Sequence, residues 1–148
     1  MRIALGSDHG GVNIRKEIAN LLDELGIEYV DFGCDCSTSV DYPDYALPVA
    51  EKIASGEFDR GILICGTGIG MSIAANKVKG IRAALVHDTF SAKATREHND
   101  SNVLTMGERV IGPGLAREIA QVWLTGEFQG GRHANRIGKI SEYENKEH

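Results

Sequence analysis

A single cysteine stands directly before closely spaced glycines in the stretch CGTGIGMS, residues 65–72. Because glycine tolerates positive φ and close backbone approach, Gly66, Gly68 and Gly70 let successive N–H groups converge on an anion. The apolar run before Cys65 is typical of a strand and the residues after the glycines of a helix, whose N-terminus favours a thiolate. A thiolate can take a proton from a carbon next to a carbonyl, and the N–H groups can hold the oxyanion that forms. The pattern therefore indicates the chemistry of an aldose–ketose isomerase, which needs no metal and no redox cofactor.

Other uses of this glycine loop fit the sequence less well. A nucleotide-binding P-loop ends in Gly-Lys-Ser/Thr, whereas Gly70, Met71 and Ser72 stand at those positions. A dinucleotide-binding fingerprint follows the first strand of a fold and needs a third glycine where Met71 stands. A cysteine-dependent phosphatase needs an arginine six residues after the cysteine, which is again the position of Met71. A tight turn with a buried, unreactive Cys65 stays open as the structural alternative.

The spacing of apolar residues predicts the elements that position this loop. Five short apolar runs, each followed by a helical pattern, predict five strands alternating with helices. The strands are expected at residues 2–8, 28–33, 60–66, 81–88 and 101–107, and the helices at 12–26, 44–56, 69–80, 89–99 and 112–128. Nearly continuous apolar strands are typical of a parallel sheet covered on both faces. We therefore expect an α/β fold over residues 1–148: one doubly wound, Rossmann-like domain in three layers, with a five-stranded parallel sheet.

Composition limits the class of protein and of partner. The 148 residues are 42% hydrophobic and 25% charged, and the formal net charge is −5. This charge argues against sequence-independent nucleic-acid binding and gives no reason to invoke a membrane surface. The odd number of cysteines and the absence of an apolar signal-peptide core at the start predict a cytoplasmic protein. Cys34 and Cys36 lack a second ligand pair nearby, so we expect two small loop residues there and no metal site.

Polar residues cluster where ligands bind in such sheets, at the carboxyl ends of the strands. Asp8 and His9 follow the first strand, Asp41 follows the second, Cys65 ends the third and Arg109 follows the fifth. His98 and Asn99 lie on the helix before the fifth strand. His87 and Asp88 end the fourth strand, and we interpret them as structural.

The segment from about residue 130 to 148 differs in character from the rest of the chain. It is charged almost throughout, and Ile137, Ile140 and Tyr143 form only a narrow apolar stripe. So thin a stripe needs another surface. We expect this C-terminal helix to dock on a second subunit and to carry Arg132 and Arg136 toward that subunit's site. A frayed tail with two solvated arginines is the alternative.

Six stretches of the chain, in this order, match a known family. They are ALGSDHGG at 4–11, DYPDYA at 41–46, CGTGIGMSIAANK at 65–77, HND at 98–100, NVLTMGERVIG at 102–112 and GGRHANRI at 130–137. With these motifs the chain resembles ribose-5-phosphate isomerase of the B type, in the superfamily that also includes the galactose-6-phosphate isomerase subunits. The resemblance implies reversible conversion of ribose 5-phosphate and ribulose 5-phosphate, an intramolecular oxidation–reduction of the non-oxidative pentose phosphate pathway.

The resemblance also implies a role for each candidate residue. Cys65 is implied as the base that forms a cis-enediolate, with the oxyanion held by the backbone of Gly66, Gly68, Ile69 and Gly70. Ring opening is implied for Thr67 and His98. For Asp8 the resemblance implies binding of sugar hydroxyls or help with ring opening, and for Asp41 a contact to a sugar hydroxyl or orientation of a neighbour. Asn99 is implied as a contact to the enediolate, and the phosphate contacts implied are His9, Arg109, Arg132 and Arg136. Some of these cross a homodimer interface in the family, and pairing of dimers into tetramers is left open. No cofactor is implied.

Two alternative functions stay open at this point. An isomerase of a six-carbon sugar phosphate, such as allose 6-phosphate or galactose 6-phosphate, needs the same chemistry. The galactose-6-phosphate enzymes divide their catalytic residues between two different subunits, whereas base, acid and phosphate ligands lie on one chain here. A non-catalytic phosphosugar-binding domain predicts loss of the base or the acid, yet Cys65, Thr67 and His98 are all present.

Overall fold

The computed structural model describes residues 1–146, and it contains five strands and six α-helices within them. The strands are β1 (Arg2–Ser7), β2 (Glu28–Asp31), β3 (Arg60–Cys65), β4 (Ala83–Leu85) and β5 (Val103–Gly107). The helices are α1 (Val12–Leu25), α2 (Pro43–Ala54), α3 (Ile69–Ala75), α4 (Thr89–Asn99), α5 (Pro113–Thr125) and α6 (Arg132–Glu144), with a 3₁₀ turn at His9–Gly11.

The five strands form one parallel sheet in the order β2-β1-β3-β5-β4. This arrangement confirms the predicted α/β class with its five-stranded parallel sheet. The chain moves outward from β1 to β2 and then crosses back to β3, so the strand order reverses between β1 and β3. The carboxyl ends of these two strands therefore flank the crevice where open α/β sheets bind ligands.

Helices cover both faces of the sheet because side chains alternate along each strand. In β1, Ile3 and Leu5 belong to the core packed under α1 and α5, whereas Ala4 between them belongs to the core under α2 and α3. Trp123 of α5 is fully buried and donates from Nε1 to Ser101 Oγ at 2.9 Å. The two cores hold the sheet rigidly and leave its carboxyl edge to the loops.

The fourth strand and the helix before it are shorter than predicted. The helix α3 ends at Ala75 rather than near residue 80, and β4 has three residues rather than eight. Asn76 explains both limits, because its side chain donates to Ala83 O and accepts from Ala83 N–H. At the next position, Arg82 N–H donates to the Asn102 side chain. Side-chain amides thus replace strand pairing at the start of this edge strand.

The loop after β2 is organised by a buried arginine that the sequence analysis did not identify. Arg15 of α1 is 1% exposed and donates to Ser7 Oγ and to Cys34 O, both at 2.6 Å. The sulfur atoms of Cys34 and Cys36 are in contact within this loop, and Cys36 N–H donates to the Cys34 sulfur at 3.1 Å. The sequence separation of only two residues means that the pair connects no two elements of the fold.

No helix in the part of the chain that the structure describes has the length and apolar character needed to cross a bilayer.

Candidate active site

A cavity of about 240 Å³ opens at the carboxyl ends of β1 and β3, in the crevice between these two strands. Its lining comes from four loops and consists of Asp8, His9, Gly10, Tyr42, Cys65, Gly66, Thr67, Gly70 and Arg109. Seven of these nine residues are among those predicted from the sequence. A larger opening of about 520 Å³ between Thr89 and α5 contains none of the predicted site residues. The smaller cavity is therefore the candidate active site.

Cys65 ends β3 at the base of this cavity and is only 5% exposed. The backbone N–H of Gly68 donates to its Sγ at 3.1 Å. Gly68 has φ of 77°, a left-handed conformation that turns this N–H back toward the sulfur and that favours glycine. This contact fixes the position of the sulfur at the base of the cavity.

The glycine loop also fixes Thr67. Ile69 N–H donates to Thr67 Oγ1 at 3.2 Å, so the hydroxyl accepts from the first residue of α3. The N–H groups of Gly68 and Ile69 are thus directed to side chains of their own loop. Gly66 and Gly70 line the cavity itself, whereas Ile69 is 50% exposed at its rim.

Asp8 and His9 enter the cavity from the end of β1. Asp8 is 6% exposed, and its Oδ1 accepts the Gly10 N–H at 2.8 Å, which caps the 3₁₀ turn. The Nδ1 atom of His9 accepts the Val40 N–H at 3.1 Å. Because Nδ1 is an acceptor in this contact, a neutral His9 carries its proton on Nε2 and can donate it to a ligand.

Arg109 is held against the glycine loop by the segment that follows β5. Glu108 N–H donates to Cys65 O at 2.9 Å, and Arg109 N–H donates to Gly66 O at 3.0 Å. The Glu108 carboxylate accepts the Ile14 N–H at 2.7 Å and so caps α1, whose N-cap residue Gly11 supplies no side chain. The guanidinium lies beside Gly66, where an added Cβ would stand 3.2 Å from Nη1.

Tyr42 lines the cavity, but the sequence analysis selected its neighbour Asp41 instead. The ring of Tyr42 lies over Gly70, and an added Cβ at Gly70 would come within 2.8 Å of it. The backbone carbonyl of Asp41 accepts from Asp44 N–H in the turn before α2, and Asp41 is not among the cavity-lining residues of the described chain. An aromatic residue in the polar loop DYPDYA was the signal available in the sequence.

The remaining predicted residues lie elsewhere in the described part of the chain. His98, Asn99, Arg132 and Arg136 do not line the cavity of Cys65. The ring of His98 stacks on His133, with centroids 4.3 Å apart and planes at 13°. This region belongs to α4 and α6, which contact each other.

The stacked pair stands in a positively charged setting. Partial desolvation, followed by the nearby His98, Arg132 and Arg136, lowers the pKa of His133 from its ordinary value. Asn99 lies in a different cavity, of about 430 Å³, together with Ile137 and Ile140. The surface formed by α4 and α6 therefore holds basic residues suited to an anion, outside the cavity of Cys65.

The candidate site thus combines a cysteine in a glycine loop with an arginine and a histidine at the carboxyl edge of a parallel sheet. Residues 3–140 match the family model described as Ribose/Galactose Isomerase, and the chain belongs to that family.

The chain is similar to known proteins over almost its whole length. It is 78% identical over 147 residues, 99% of both chains, to a putative sugar phosphate isomerase, YwlF, of Bacillus subtilis. The structure of ribose-5-phosphate isomerase B from Clostridium thermocellum has a TM-score of 0.95 and 59% identity, covering 97% of each chain. That of ribose-5-phosphate isomerase B from Mycoplasma genitalium with bound ribulose-5-phosphate has a TM-score of 0.95 and 40% identity, covering 99% of this chain and 97% of the other.

Proposed function

We propose that the protein interconverts ribose 5-phosphate and ribulose 5-phosphate through a cis-enediolate, as a step of the non-oxidative pentose phosphate pathway in the cytoplasm. One observation carries this proposal: the Cys65 sulfur, with the Gly68 N–H at 3.1 Å, shares a cavity with Thr67, His9 and Arg109. The similarity to two ribose-5-phosphate isomerases of the B type, one of them with bound ribulose-5-phosphate, supports the five-carbon substrate.

Cys65 acts as the base in the proposed mechanism. Its thiolate removes the proton from C2 of the open-chain aldose, and the electron pair of that C–H bond forms the C1–C2 double bond of the enediolate while O1 takes up the carbonyl electrons. Transfer of the O2 proton to O1, and return of the abstracted proton from the Cys65 thiol to C1 as the C2–O2 carbonyl forms, give the ketose, so atoms and electrons balance without a cofactor. Gly66 and Gly70, whose backbone lines the cavity, hold the oxyanion.

Ring opening precedes this proton transfer, because the proton on C2 becomes acidic only next to a free carbonyl. Thr67 accepts from Ile69 N–H, which leaves its hydroxyl proton to donate toward the ring oxygen. Asp8 and Asp41 bind sugar hydroxyls in this proposal. His98 supplies the acid and base for ring opening, and Asn99 contacts the enediolate.

The phosphate is bound by Arg109 and by the Nε2–H of His9, joined by Arg132 and Arg136. Arginine offers forked donors that suit phosphate oxygens. His98, Asn99 and the two arginines of α6 lie outside the Cys65 cavity of their own chain. We therefore propose that a partner subunit supplies them and that the working enzyme is a homodimer.

The exposure of α6 supports the dimer. None of its thirteen residues, all of them described, is buried, and Ile140 is 60% exposed. An amphipathic helix in this state gains free energy by covering its apolar stripe with a second surface. In this proposal residues 1–148 form one domain, and α6 is its contact with the partner; residues 147–148 lie outside the described part.

The test compares wild-type protein with Cys65→Ala in converting ribose 5-phosphate to ribulose 5-phosphate without added metal or nucleotide. We expect turnover by the wild type and a loss of at least about 10³-fold in the variant, since the base is removed. The double substitution Cys34→Ser and Cys36→Ser, which changes cysteines outside the cavity, is the matched control and should retain activity.

Each other outcome has a definite meaning. Turnover that survives in Cys65→Ala contradicts the thiolate base. A wild type that is inactive on ribose 5-phosphate but active on a six-carbon sugar phosphate contradicts the five-carbon substrate. A wild type that binds sugar phosphates without exchanging their α-hydrogen with deuterated solvent is a binding domain and not an enzyme.

A further inference from the structure

His87 stands just beyond the short strand β4 and contacts the last residue of β5. Its Nε2 accepts the Gly107 N–H at 3.0 Å. The last backbone hydrogen bond between these strands is donated by Val86 N–H to Thr105 O. In a parallel strand every second residue points its N–H to the same neighbour, so Gly107 faces β4 just after that strand has ended. The imidazole replaces the missing backbone acceptor.

Gly107 in turn lies against the glycine loop of the active site. A Cβ added to Gly107 would stand 2.6 Å from the Cα of Thr67, so the two backbones are already in contact. The residues that follow Gly107 donate to Cys65 O and Gly66 O. A displacement of Gly107 must therefore move Thr67, the backbone that carries Arg109, or both.

The state of the His87 ring suits an acceptor. Burial lowers the pKa of His87, an effect that the neighbouring Asp88 carboxylate partly opposes. A neutral imidazole offers one lone pair, and here that lone pair is on Nε2 because Gly107 donates to it.

We propose that His87 is a positioning residue of the isomerase: by accepting the Gly107 N–H it sets the end of β5 and, through it, Thr67 and Arg109. The residue does not line the cavity, so it acts through Gly107 and not on the substrate. The proposal rests on the function proposed above, which gives Thr67 and Arg109 their roles. It replaces the interpretation of His87 as purely structural.

The test uses three substitutions of His87 in the full chain. In His87→Gln the amide oxygen reaches the position of Nε2 and can accept the Gly107 N–H, whereas His87→Leu has no acceptor and His87→Asn is one bond too short. Loss of one such hydrogen bond corresponds to about a tenfold change in a rate or equilibrium constant. We expect kcat/KM for ribose 5-phosphate to fall about tenfold in the Leu and Asn variants, with a raised KM, and His87→Gln to stay within about twofold of wild type.

Amide hydrogen exchange at Gly107 is the second readout, and it needs no turnover. Exchange at this amide should be about tenfold faster in His87→Leu and His87→Asn but protected in His87→Gln, because only the hydrogen bond to position 87 has changed. Amides in the centre of β3 should exchange as in the wild type, which separates a local effect from general loosening of the fold.

Several results would overturn the proposal. Wild-type kinetics together with a protected Gly107 amide in both His87→Leu and His87→Asn would show that the contact positions nothing. Failure of His87→Gln to restore KM would show that the acceptor is not what matters. If the wild type does not convert ribose 5-phosphate, the proposed function fails, while Gly107 exchange and the affinity for inorganic phosphate across the same variants still test the positioning.

Discussion

The Cys65 cavity and the surface formed by α4 and α6 differ in how deeply their most buried residues lie. In the cavity, Cys65 and Asp8 are 5% and 6% exposed and are held by backbone N–H groups. On the other surface, α6 has no buried residue among its described positions, and Ile140 is 60% exposed. The Cys65 cavity thus lies at the ends of strands, whereas Arg132 and Arg136 are carried by a helix at the periphery.

The chain path explains this difference. Residues at the ends of β1, β3 and β5 share the stiffness of neighbouring strands, because hydrogen bonds link the loops directly to one another. The helix α6 follows Gly130 and Gly131, both with positive φ, and it approaches the rest of the chain mainly through α4. One half of the proposed site is therefore complete within a single chain, and the other half is available to a second chain.

The largest expected effect tests whether the two regions meet across a dimer. As homodimers, Cys65→Ala should lower activity at least about 10³-fold and His98→Gln at least about 10²-fold. Refolding them together in equal amounts should restore about a quarter of wild-type activity, because half of the dimers are then mixed and each mixed dimer has one intact site. The measurement is turnover of ribose 5-phosphate before and after co-refolding.

A matched mixture controls for this result. Cys65→Ala and Thr67→Ala alter the same cavity of one chain, so every site in their mixed dimers keeps one defect and no activity should return. Recovery in this control, or its absence from the mixture of Cys65→Ala with His98→Gln, would contradict the assignment of the two regions to different subunits.

Two glycine substitutions sharpen the contrast in packing. A Cβ at Gly107 would stand 2.6 Å from the backbone of Thr67, whereas one at Gly138 of α6 meets nothing within 4 Å. We expect Gly107→Ala to lower the free energy of unfolding by about 1–3 kcal/mol and to reduce kcat/KM, since the glycine loop must shift. Gly138→Ala should raise the free energy of unfolding by about 0.5–1 kcal/mol through helix propensity.

Urea unfolding and steady-state kinetics on both variants check these expectations. Equal losses of stability at the two positions would mean that the Cys65 region is no more tightly packed than α6, and the comparison would fail.

The smallest expected effect concerns pH. Burial holds the pKa of His87 below its ordinary value of 6.5, so above about pH 7 both the folded and unfolded states carry a neutral ring. As the pH falls through 6.5 the unfolded state binds the proton first. The free energy of unfolding should therefore decrease as the pH falls, until the folded state is protonated too.

The same measurement distinguishes the two regions. Urea unfolding at fixed protein concentration between about pH 5.5 and 7.5 should show a slope that His87→Gln reduces. His133, on the exposed helix α6, also has a lowered pKa, but His133→Gln should change the slope less because solvent screens its neighbours. If His133→Gln reduced this slope more than His87→Gln does, the pH dependence would come mainly from the exposed helix α6 and not from His87.

Apolar periodicity was enough to predict the strands, their parallel pairing and the loops that gather around Cys65. It could not predict that β5 lies between β3 and β4, since spacing along a chain carries no order across a sheet. The short β4 was missed because the side chains of Asn76 and Asn102, and not apolar content, limit that strand.

Among the candidate site residues, sequence reasoning identified those whose type carries chemistry and missed those that only their position reveals. Tyr42 acts through its contact with Gly70, and His87 acts by accepting the Gly107 N–H. Neither contact is visible in the sequence. Whether His98 and the arginines of α6 reach a site depends on a partner surface, which a single chain does not contain.

The position of β5 between β3 and β4 also has a consequence for how the chain folds. Until residues 103–107 have emerged from the ribosome, β4 has no strand to pair with, because its only partner within the described residues is β5 and the preceding strand, β3, lies two positions away in the sheet. The last strand must then pair with β3 and β4 at once, and long-range pairing of this kind is slow. Closure of the sheet also brings Glu108 and Arg109 onto the loop at Cys65. Completion of the sheet and assembly of the Cys65 cavity are thus the same event.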